Sequence, residues 1–126
     1  MAQEERFAIS YSGLNKPLLA VLGMGPGRSG VVVTDSEVRV RMGWAFNAAI
    51  PRERITAAEK TTKPALFGWG VHGWRGRCVV NGSDSGIVRL AIDPPILTRT
   101  LIFAIQPHEL FISLEEPDRF LATLER

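Results

Sequence analysis

With 126 residues, 45% of them hydrophobic and 22% charged, the chain has room for one packed domain, covering residues 1–126, and none for a second. Its single cysteine, Cys78, excludes an intramolecular disulfide, and with only two histidines beside it no converging metal-ligand set is expected. The net charge of +2 is spread along the chain, thirteen acids interleaved with fifteen bases, so no nucleic-acid surface is expected.

Met1 to Arg6 is polar and acidic, without the basic-then-apolar order of a secretory leader. The longest apolar run, Leu18 to Leu22, is far shorter than the roughly 20 residues that span a bilayer, so a cytoplasmic setting is expected, with any membrane contact peripheral. Phe7 to Tyr11 and Leu18 to Leu22 read as short strands in an N-terminal extension, residues 1–29. Gly25-Pro26-Gly27-Arg28-Ser29-Gly30 matches G-x-G-x-x-G, but Val31-Val32-Val33-Thr34 follows at once, and β-branched residues disfavour the helix that a dinucleotide-binding turn must open. No cofactor is expected.

The same valine run pairs across Asp35-Ser36 with Glu37 to Met42, giving a hairpin from Val31 to Met42. In the second strand Val38, Val40 and Met42 alternate with Glu37, Arg39 and Arg41, so one face is core and the other meets water. Phe46 to Ile50 and Arg54 to Lys60 follow, broken at Pro51. Arg39, Arg41, Arg52 and Arg54 form a candidate anion patch, set against the reading of ordinary surface arginines.

From Phe67 to Gly76 the chain is aromatic and glycine-rich. Extended, it carries Phe67, Trp69 and Val71 on one face and Gly68, Gly70 and His72 on the other. Trp69, His72, Trp74 and Arg75 are therefore a candidate interaction surface; the alternative makes the aromatics core anchors on a glycine-bent edge. Cys78, in an apolar run beside Arg77, reads as core.

Gly76 to Val80 and Gly86 to Ile92 flank the turn-forming Asn81-Gly82-Ser83-Asp84-Ser85 and read as a second hairpin. Gly82 to Gly86 places Asp84, not a serine, at the centre of a G-x-S-x-G frame, and the acid pairs Glu4-Glu5 and Glu115-Glu116 point apart, so no catalytic residues are expected. Leu101 to Ile105 and Glu109 to Leu114 add strands. The end, residues 117–126, reads as a helix: Pro117 suits its first position, and Pro117, Phe120, Leu121 and Leu124 make one apolar face that must dock.

These short strands from about Val31 to Leu114, closed by a helix entered through Glu116-Pro117-Asp118, resemble the bacterial pleckstrin-homology-like domains over about two-thirds of the chain. Val31-Val32-Val33-Thr34 before Val38 to Met42, Ile50-Pro51 before Arg54-Ile55, and Gly86-Ile87-Val88-Arg89-Leu90 before the last strand and helix carry the likeness. It implies a mainly β fold, a bent barrel or roll of roughly seven strands capped by the helix, used for binding and without catalytic residues. Phosphoinositide-binding relatives place basic residues in the loop joining their first two strands; here that loop is Asp35-Ser36, which is acidic. Two functions stay open: a protein-interaction or self-assembly module, expected to be homo-oligomeric, and a peripheral binder of an anionic lipid head group or small anionic ligand.

Overall fold

The structure, a computed structural model, describes residues 4–10, 29–43, 46–61, 70–74, 77–81, 86–95, 98–100, 104–105 and 108–125. Strands β1 (Glu5–Phe7), β2 (Ser29–Val33), β3 (Glu37–Met42), β4 (Phe46–Pro51), β9 (Thr98–Thr100) and β10 (Ala104–Ile105) form one sheet in that order. A second sheet has the order β5 (Ile55–Lys60), β8 (Ile87–Ile92), β11 (Glu109–Ser113), β7 (Arg77–Asn81), β6 (Gly70–Trp74). Helix α1 (Pro117–Leu124) follows. Among the described residues the fold is mainly β with one C-terminal helix, as the strand and helix patterns imply.

The first hairpin follows from side-chain alternation. Val31 and Val33 of β2 and Val38, Val40 and Met42 of β3 are buried, while Arg39 and Arg41 face solvent. Val31 registers with Val40 and Val33 with Val38, so the apolar set of each strand falls on one face. Thr34 fastens the turn: its amide donates to the Glu37 carbonyl at 2.9 Å, and its hydroxyl accepts from the amides of Ser36 (3.3 Å) and Glu37 (3.1 Å). In β4, Phe46, Ala48 and Ile50 continue the buried face. A 3₁₀ turn at Arg52–Arg54 then carries the chain into the second sheet.

The second hairpin is not formed. β7 and β8 are separated by β11, which runs parallel to β7 and antiparallel to β8. In β11, Leu110, Phe111 and Ile112 are all buried, as suits an inner strand covered on both faces. A parallel neighbour needs a long crossover, and the excursion through β8, β9 and β10 supplies it. Around the strand expected at Leu101 to Ile105, β9 and β10 instead pair with each other, Ala104 with Arg99 and Ile105 with Thr98. Phe7 to Tyr11 is represented by β1 and a single bridge from Ile9 to Leu114, and Leu18 to Leu22 lies outside the described residues.

The two sheets are not closed into the expected barrel. They join at the β4–β5 corner and beside the Ile9–Leu114 bridge, where the Ser10 amide donates to Ser113 (2.9 Å) and the Glu115 amide to Ala8 (3.0 Å). The helix takes the place of further strand pairing by standing between β1 and β5. The Thr123 hydroxyl bonds Glu5 Oε2 at 2.8 Å, Arg119 Nη2 donates to the Arg6 carbonyl at 2.8 Å, and Lys60 pairs with Asp118 at 3.0 Å on the other flank. Phe120 enters the main core edge-on to Phe7, with ring centroids 5.3 Å apart, while Leu121 and Leu124 pack at its rim.

Candidate functional site

The structure divides the candidate anion patch. Arg39 and Arg41 share the exposed face of β3, but Arg39 Nε lies 3.2 Å from Glu37 Oε1, its Nη2 lies 3.8 Å from Glu4 Oε2, and Arg41 Nε donates to the Gly43 carbonyl at 3.4 Å. The Arg52 side chain instead reaches α1. Its Nη1 donates to the Thr34 carbonyl at 2.9 Å, and its Nη2 to the carbonyls of Thr123 (3.3 Å) and Leu124 (3.0 Å). The Thr123 and Leu124 carbonyls lie at the C-terminal end of the helix, where the dipole favours a cation. Arg54 sits in the 3₁₀ corner, its carbonyl accepting from the Asp93 amide at 2.9 Å.

Arg52→Ala is therefore expected to lower unfolding stability by about 1.5–3 kcal/mol, the range for hydrogen bonds from a charged donor. Arg52→Lys should recover only part, because an ammonium cannot fork across carbonyls on two elements. Urea denaturation of the three proteins checks both statements; an unchanged midpoint for Arg52→Ala would remove Arg52 from this role.

Of the candidate interaction surface, Trp69 and Arg75 lie outside the described residues. His72 and Trp74 are on β6, the terminal strand of the five-stranded sheet. Its register sets Val71 against Val80, His72 against Val79 and Gly73 against Cys78. Cys78 in turn registers with Leu110, and Leu110 with Leu90; Leu110 and Leu90 are buried.

A charged cluster outside the sequence-derived candidates crosses β5, β8 and β11 of this sheet. Arg89 on β8 places Nε 2.5 Å from Glu109 Oε2 on β11 and Nη1 3.0 Å from Glu59 Oε1 on β5. The hydrogen bond that the guanidinium donates to Glu109 is the foremost cause holding it above its usual pKa, against the opposing effect of burial. His108 Nε2 lies 3.9 Å from Glu109 Oε1, and an open cleft of about 700 Å³ runs beside these groups between Thr56, Asp93 and Pro95. Both carboxylates engage one guanidinium, so the cluster acts as a strut across three strands. The sequence does carry a signal for it: single charges in the otherwise apolar runs Ile87–Ile92 and Glu109–Ser113.

A second groove, of about 240 Å³, lies between β5 and α1, lined by Ile55, Ala58, Leu121 and Leu124 with Arg52 and Glu125. Among the described residues no group of three His, Cys, Asp or Glu side chains is placed to hold a metal ion. None of their helices is long and apolar enough to cross a membrane. The G-x-G-x-x-G run enters β2 at Ser29 and Gly30, so its last two residues are already strand. Compared with protein-family models, with curated proteins and with solved structures, the chain gives no match.

Proposed function

We propose that this chain is a non-catalytic protein-interaction module, cytoplasmic in setting, that engages its partner through the edge of the five-stranded sheet at β6. The observation that carries the reading is the position of β6 as a terminal strand, combined with its sequence: Ala65 to Trp74 contains no charged residue and no proline. Such an edge offers a row of backbone donors and acceptors to an incoming strand, and large aromatics beside it are the residue types that anchor interfaces. The alternative, an anionic head-group site, is weakened by the acids paired with Arg39 and by the commitment of Arg52 to backbone carbonyls.

Photo-crosslinking inside cells tests the choice. A photoreactive residue introduced at His72 is expected to yield adducts to protein, and one introduced at Arg41 is expected to yield none. Adducts from position 41 alone, or adducts to lipid from either position, would overturn the proposal.

A further inference from the structure

Resting on that reading of β6, we infer that its partner is a second copy of this chain, paired antiparallel to β6 about a two-fold axis through His72. The four terminal strands differ in how they are protected. β1 is three residues long and carries Glu5 and Arg6, and β10 has only two residues. β5 ends in Glu59 and Lys60, has a register shift between Ile55 and Ala57, and lies beside α1. Charge, brevity, a bulge and a covering helix are the usual means of preventing strand addition. β6, Gly-Val-His-Gly-Trp, has five residues without a charge or a proline, its register with β7 is unbroken, and among the described residues no helix is packed against it.

Its sequence is also complementary to itself in one register. Antiparallel pairing centred on His72 sets Gly70 opposite Trp74 of the second copy and Val71 opposite Gly73, so each large residue meets a glycine. It is the register that pairs all five residues of both strands; any slip loses pairs and breaks the large-to-small match. A two-fold axis then repeats every contact, as an isologous interface requires.

The register of the sheet supports the same join. Val71 stands in one row with Val80, Ile112 and Val88, and Gly73 in one row with Cys78, Leu110 and Leu90. Val80, Ile112, Val88, Leu110 and Leu90 are all buried. Pairing about His72 places Val71 of the second copy at the end of the Gly73 row, extending an apolar row where the first copy supplies no side chain. The five-stranded sheets of the two copies become one continuous sheet across the axis.

Sedimentation equilibrium on the full chain tests this. The wild type is expected to show a monomer–dimer equilibrium. His72→Lys and His72→Asp each place like charges across the axis, and each is expected to raise the dissociation constant by about fivefold, the upper end for one cross-strand charge pair. Mixing the two variants in equal amounts should restore a dimer, now of one copy of each. A wild type that is one chain at every concentration, charge variants that dimerise like the wild type, or a mixture that forms no mixed dimer would each overturn the inference. If the variants fail to fold, hydrogen exchange on the wild type replaces them: amide protection over Gly70–Trp74 must rise with protein concentration, and constant protection overturns the pairing. A monomeric wild type that still crosslinks from His72 to another protein would remove the self-pairing alone and leave the interaction reading standing.

Discussion

Phe120→Ala is expected to remove about 3–5 kcal/mol of unfolding stability, the range for truncating a buried aromatic. That is a large share of the roughly 5–15 kcal/mol available to a domain of this size. Phe120 has no exposed surface, and its ring meets Phe7 edge-on at an interplanar angle of 86°. Phe7 is covered in turn by the Arg119 guanidinium, 4.1 Å from its ring centroid. Truncation would empty the junction of β1, α1 and the main core, where the helix stands in place of strand pairing. Phe120→Leu retains most of the buried volume and should lose much less. Urea denaturation followed by tryptophan fluorescence measures both, and a loss below about 1 kcal/mol for Phe120→Ala would mean that the helix does not hold the sheets together.

Gly86→Ala is expected to destabilise by several kcal/mol for two separable reasons. Gly86 has φ +66°, a left-handed conformation costing a side-chain-bearing residue roughly 1–2 kcal/mol. A Cβ there would also stand 2.0 Å from the Leu114 carbonyl oxygen, which is backbone and cannot swing aside. The Gly86 carbonyl accepts the Leu114 amide at 2.9 Å, so any relief of the clash strains the link between the start of β8 and the end of β11. Gly86→Asn separates the causes. Asparagine tolerates positive φ but has the same Cβ, so it should be nearly as damaging as alanine. Thermal unfolding of both variants checks this, and full recovery with asparagine would show that the backbone angle alone matters.

Local pattern made much of this architecture legible. β3 runs from Glu37 to Met42 as its alternation of valines and charges implies, because a period of two can bury only one face of a strand. The hairpin with β2 follows from an adjacent β-branched run and a short polar turn, contacts that need almost no loop closure. Helix α1 begins at Pro117 and buries Phe120, as its spacing requires, although Thr123 is its other buried residue and is held there by its hydroxyl. Of the candidate surfaces, sequence chemistry singled out the stretch that holds β6 through its glycines and tryptophans, and the sheet order then placed β6 at an edge.

What the sequence determined alone is therefore the β character of the chain, the first hairpin, the amphipathic helix and the residues that must be buried. Each depends on neighbours a few positions away. The tertiary structure decided the rest: the insertion of β11 between β7 and β8, the two unclosed sheets, the turn of Arg52 toward the end of α1, and the Glu59–Arg89–Glu109 strut. The strut and the bonds from Arg52 to the helix join residues 20 to 72 positions apart. Alternation states which face of a strand is apolar but carries no information about which other strand will lie beside it, and an arginine reads as surface until a distant carbonyl or carboxylate is brought within reach.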